Sequence, residues 1–105
     1  MTENELQKEC VKYLKEKNIL YYHAGFRGLH RAGASKNSVG WPDLFIFPAG
    51  GKMVFVELKA PGGKVRPEQA TKMTDLCQCG YNSWVIDSYK SFVKVMDEIR
   101  ENGNK

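Results

Sequence analysis

Asp43 and Glu57 stand fourteen positions apart in the segment GWPDLFIFPAGGKMVFVELKA (Gly40 to Ala60), each in or beside an apolar run with the character of a buried strand. A carboxylate on such a strand costs several kcal/mol unless it is paired or binds a cation. Lys59, two positions after Glu57, falls on the same strand face. Two acids and one ammonium group on one surface are what divalent-metal hydrolysis of a phosphodiester requires. Magnesium prefers oxygen ligands in octahedral geometry and keeps several waters. Asp43 and Glu57 would each give one oxygen and the backbone carbonyl of Leu58 a third, while Lys59 would orient or deprotonate the attacking water and offset developing charge. The bland alternative is a structural ion pair of Lys59 with either acid at a sheet edge.

The metal reading makes a demand on register. Leu44 to Phe47 and Met53 to Lys59 read as strands joined at Gly50-Gly51, a strong hairpin signal. With Ala49, Gly50 and Gly51 as a three-residue loop, Phe45 faces Phe55 and Asp43 lies opposite Glu57, on one face with Lys59. A two-residue Gly50-Gly51 loop shifts the pairing by one and sends the acids to opposite faces.

The remaining elements follow from periodicity. Leu6, Cys10, Tyr13 and Leu14 recur at helical spacing over about residues 3 to 17, with Thr2 and Glu5 set for a capping box and Asn18 closing the helix. Ile19 to His23 is a short strand, His23 reading as a hydrogen-bonded structural residue. Ala24 to Trp41 holds four glycines, is aperiodic, and is long for a structureless connection, which marks it as a functional or mobile loop. Pro67 suits the first turn of a second helix to about Cys79, with Gln69, Met73 and Leu76 or Cys77 on one stripe and Gly80 as its cap. Tyr81 to Ile86 is a strand. A third helix begins near Ser88 and buries Phe92, Val93, Met96 and Ile99, and the tail from about 101 to 105 should fray. The order is α-β-β-β-α-β-α, one mixed α/β domain over 1–105 with a central sheet flanked by helices.

At 105 residues, 42% hydrophobic and 27% charged, the chain has the makeup of a globular domain, neither disordered nor collagen-like. No apolar run is long enough to span a bilayer and the first residues do not resemble a secretory signal, so a cytoplasmic address is expected. The formal charge of +4 favours a polyanionic partner. The excess is uneven: His30, Arg31 and Lys36 lie in the long loop, and Lys64 and Arg66 follow Lys59. These five are the candidates for contacts to a nucleic-acid backbone. Trp41 reads as packing the hairpin rather than stacking on a base. Cys10, Cys77 and Cys79 have spacings of neither a disulfide framework nor a zinc site and read as buried free thiols in helices.

Gly40-Trp41-Pro42-Asp43, then Val56-Glu57-Leu58-Lys59, then Arg66-Pro67-Glu68-Gln69 resemble the PD-(D/E)XK nuclease superfamily, and within it the stand-alone VRR-NUC domain proteins of phages and bacteria. The resemblance covers nearly the whole chain. It implies a restriction-endonuclease-like core, dependence on Mg²⁺ or Mn²⁺, and a homodimer acting on branched DNA such as four-way (Holliday) junctions. By position it makes Asp43 and Glu57 metal ligands, Lys59 the catalytic lysine, and Gln69 a helix residue that reaches the site. It also implies an acid from the first helix, for which Glu3, beside Gln7 on the inward stripe, fits better than the capping Glu5 and would serve the metal through water. The competing reading is a non-cleaving DNA-binding module with the same fold. A protein-interaction domain whose basic loops merely solvate it is a third.

Overall fold

A computed structural model of the protein describes residues 1–24 and 40–103. Helix α1 (Glu3–Glu16) starts as its sequence dictates: the Thr2 hydroxyl accepts from the Glu5 N–H at 3.1 Å, and the Thr2 N–H donates back to the Glu5 carboxylate at 3.0 Å. Two of the N–H groups orphaned at a helix start are thereby satisfied. Asn18 ends the turn beyond α1 at φ 55°, in the left-handed region that asparagine tolerates better than most residues. From there the chain enters β1 (Leu20–His23).

Strands β2 (Leu44–Phe47) and β3 (Val54–Leu58) form the central hairpin. Phe45 pairs with Phe55, Leu44 with Val56 and Ile46 with Val54, the register of the odd-length loop. The turn between them has Gly50 and Gly51 both at positive φ, 102° and 94°. That conformation is open to glycine at no steric cost, and it is what allows the odd count of loop residues. Helix α2 (Pro67–Gln78) carries the chain to β4 (Asn82–Ile86), which lies parallel to β3. Gly80 at φ 91° closes α2, with the Gly80 N–H donating to Cys77 and the Tyr81 N–H to Leu76. Helix α3 (Tyr89–Gly103) begins where the Ser88 hydroxyl accepts from the Ser91 N–H at 3.1 Å.

The sheet order is β1-β2-β3-β4, antiparallel except for the last pair, so the sheet is mixed and flanked by helices as expected. One face carries Leu44, Ile46, Val54, Val56, Leu58 and Ile86, which merge with Leu6, Cys10, Leu14, Phe92 and Met96 of α1 and α3 into the core. The other face carries Phe45, Phe55 and Glu57. Alpha-helix α2 lies over it, with Trp41 and Tyr81 packed edgewise or tilted against the phenylalanines. Every residue of β3 is therefore buried, as is usual for a strand covered on both faces.

Several details differ from the sequence reading. Only Cys10 is a buried thiol; Cys77 and Cys79 are exposed, because α2 buries just Gln69 and Leu76 and turns its C-terminal cysteines away from the sheet. In α3, Val95 joins Phe92 and Met96 in the core while Val93 and Ile99 sit half-buried at its rim. The same helix continues to Gly103, into the stretch expected to fray.

Candidate active site

The hairpin register brings Asp43 and Glu57 to one edge of the α2 face. Extending the Leu44–Val56 pairing by one residue sets the two acids opposite one another. One Asp43 carboxylate oxygen, Oδ2, accepts the Leu58 N–H at 2.8 Å. Pro42 is fully buried just before it, so the carboxylate is held by its own backbone and by the neighbouring strand.

Glu57 is 2% exposed and divides its two oxygens between different tasks. Oε2 accepts from Gln69 Nε2 at 2.7 Å and faces Lys59 Nζ at 3.3 Å. Oε1 is buried with no hydrogen-bond partner among the described residues. An unpartnered buried carboxylate oxygen is costly, and such groups in native folds have a reason. Burial first, and the Asp43 charge second, push the Glu57 carboxyl up to about 7; Lys59 opposes the rise and Glu3 adds to it. The site thus has an excess of negative charge that one ammonium group does not neutralise. A divalent cation between Asp43 and Glu57 Oε1 would relieve both the repulsion and the orphaned oxygen, and an all-oxygen donor set is what Mg²⁺ or Mn²⁺ takes.

Gln69 serves two groups at once. Its Oε1 accepts the Arg66 N–H at 2.9 Å and so caps the start of α2, while its Nε2 donates to Glu57. Lys59 is itself 8% exposed, and its backbone N–H is fixed to the Ile86 carbonyl at 3.0 Å.

Two features here were not read from the sequence. Gly40 sits at φ +80° against the first turn of α2, where an added Cβ would collide with the Glu68 carbonyl oxygen and lie 2.7 Å from its carbonyl carbon. Only glycine lets the chain before Asp43 pass so close to Gln69. The second is Lys72, whose Nζ lies 4.7 Å from the Trp41 ring centroid. Its spacing from Gln69, three residues on the same helix face, was the available signal. Trp41 packs on Phe45 and Phe55 at 5.6 and 6.4 Å between centroids, in keeping with a packing role.

Glu3 is exposed at the start of α1 and acts on Glu57 through its charge. Among the described residues no three His, Cys, Asp or Glu side chains are grouped as a metal cluster, so Glu3 does not form one with Asp43 and Glu57. Lys64 and Arg66 are exposed in and after the segment that follows Lys59, Arg66 within 3.9 Å of Glu68. His30, Arg31 and Lys36 lie outside the described residues.

The mixed four-stranded sheet thus sets Asp43 and Glu57 on the two arms of its central hairpin, with Lys59 just past the end of β3. Comparison with known proteins places the fold. The model of the VRR-NUC domain matches residues 5–90. A protein of Acyrthosiphon pisum secondary endosymbiont phage 1, named "Putative nuclease p44", is 33% identical over 73 residues, covering 70% of this chain and 78% of its own. Two solved VRR-NUC domain structures superpose with TM-scores of 0.70 and 0.66, each at 23% identity and over 92% of this chain, covering 97% and 86% of theirs; at that identity they speak for the fold. The chain belongs to the VRR-NUC family of nucleases.

Proposed function

We propose that the protein is a Mg²⁺- or Mn²⁺-dependent endonuclease that hydrolyses phosphodiester bonds in DNA, selective for branched substrates such as four-way junctions. The observation that carries the reading is the orphaned Glu57 Oε1, a buried carboxylate oxygen without a partner beside the half-buried acid Asp43. Asp43, Glu57 Oε1 and the Leu58 carbonyl would hold the ion. A strand residue directs its N–H and C=O to the same neighbouring strand. The Leu58 N–H meets Asp43, which puts the carbonyl on the Asp43 side as well. When bound, the ion supplies Lewis acidity at the phosphate and lowers the pKa of water in its shell.

The protein's own groups do the rest. Lys59 stays within 3.3 Å of Glu57 and is placed to orient the attacking water, take its proton or steady charge on phosphate oxygen. Gln69 fixes the Glu57 rotamer so that Oε1 faces the ion. Glu3 serves the outer shell through water. Lys64 and Arg66, with His30, Arg31 and Lys36, contact the DNA backbone. Cutting both strands of a symmetric junction calls for two sites, so the working form is a twofold homodimer. No helix among the described residues is long and apolar enough to cross a membrane, and the DNA substrate favours a cytoplasmic setting, the host's if the chain is phage-encoded.

The test is cleavage of a four-way junction, a flap, a duplex and single-stranded DNA with and without Mg²⁺ or Mn²⁺. Metal-dependent cutting that favours the junction is expected. Binding without cutting on every substrate and with either metal would leave a non-cleaving DNA-binding module.

A further inference from the structure

Lys8, Lys12 and Lys15 of α1 stand within about 60° of one another around the axis at 100° per residue, all exposed, and none makes an ion pair among the described residues. Glu9 and Glu16 turn toward α3, where both raise the Tyr89 phenol. The three lysines line a surface groove of about 430 Å³ together with Gln7, Val11, Glu16 and His23 at the end of β1. The groove shares one helix ridge with Glu3. Glu3, Gln7, Val11 and Lys15 succeed one another at four-residue spacing, which makes one continuous ridge along a helix. Its first member is the residue whose charge reaches Glu57, and the next three line the groove. From Glu3 to Lys15 the ridge runs about 18 Å at 1.5 Å per residue.

We propose that this groove is a second DNA-backbone site, in which Lys8, Lys12 and Lys15 hold the phosphates of the duplex arm leading away from the scissile bond. The proposal rests on the nuclease reading. A row of three exposed cations against the single acid Glu16 in the groove suits a polyanion whose scissile phosphate lies at Glu57. The half-buried Val11 and Gln7 between the lysines and the core give the sugar edge an apolar and hydrogen-bonding floor. Glu16, at the far end, closes the track.

The experiment compares Lys8→Gln/Lys12→Gln/Lys15→Gln with a charge-matched control on α3, Lys90→Gln/Lys94→Gln/Arg100→Gln. Binding to a fluorescent DNA duplex is followed as a function of salt in EDTA, and cleavage with Mg²⁺ at saturating DNA. Circular dichroism melts confirm that both variants fold. Loss of three phosphate contacts should flatten the slope of log affinity against log salt by about 2.7 and weaken binding about tenfold or more at low salt. The control should keep the wild-type slope and the wild-type turnover at saturating DNA. An α1 variant with wild-type slope, or a control that loses as much, overturns the groove assignment. Wild-type protein that binds DNA with no salt dependence and cleaves nothing would sink the nuclease reading itself.

Discussion

The two faces of one strand contrast sharply. On one side of β3, Val54, Val56 and Leu58 meet hydrocarbon from α1 and α3; on the other, Phe55 and Glu57 meet the aromatic rings and amide of the α2 side. Both sides are buried, yet they tolerate error differently. The apolar side is held by many interchangeable contacts, none of them directional. The polar side depends on single atoms, and moving one leaves another unsatisfied. Stability therefore belongs chiefly to the first face, and the proposed chemistry to the second.

The sharpest break of that division is Lys59→Ala. Cleavage in Mg²⁺ should fall by about 10³-fold or more, the scale of losing a group that acts in the transition state. A thermal melt should show the fold retained, and a fall in activity below tenfold would remove Lys59 from the reaction. On the opposite face, Phe92→Ala empties the centre of the α1–α3 packing. A loss of about 3–5 kcal/mol in a urea titration is expected. Residual folded protein at low temperature should still cut.

Glu57→Gln sharpens the contrast through pH. The folded-state pKa is raised from 4.5 to about 7, so the native protein binds more protons than the unfolded chain between those values. Stability from this group is therefore fully present below pH 4.5 and lost as pH rises through 7, on the order of 3 kcal/mol. Melting temperatures at pH 5 and pH 8 should show the glutamine variant gaining on wild type at the higher pH, with metal absent; equal differences at both would place Glu57 in a less costly setting. Gly40→Ala sits between the faces. Its Cβ must push the first turn of α2 away, loosening Gln69 from Glu57, and about tenfold slower turnover is expected with about 1 kcal/mol or more of destabilisation. Gln69→Glu, which cannot donate to Glu57 when ionised, should slow turnover similarly while leaving Gly40 in place. The smallest effect belongs to Thr2→Ala, about 1 kcal/mol from the lost cap, with activity unchanged.

Most of the fold was legible because its signals were local. Thr2 and Glu5 announced a capping box, Pro67 and Gly80 bracketed α2, and Gly50-Gly51 marked the hairpin, while the choice between its two registers, on which the Asp43–Glu57 pairing depends, came from the coordinates. The misjudged positions were those decided by distant partners. Cys77 and Cys79 are apolar enough to be expected inside, but nothing in their neighbours says how little of α2 the sheet covers. Gly40 was quoted as part of a motif, and its role lies in a contact with Glu68, twenty-eight residues away. Likewise the dual bonding of Gln69 needed coordinates, since a sequence places the residue at a helix start without saying where its amide points.

That single amide has a consequence for how the protein comes together. Because the group that closes the first turn of α2 is also the one that orients Glu57, an unravelled helix start and a misdirected carboxylate are the same defect. A substitution that loosens that turn therefore also strips Glu57 of its amide donor, so damage to the scaffold there cannot be separated from damage to the acid.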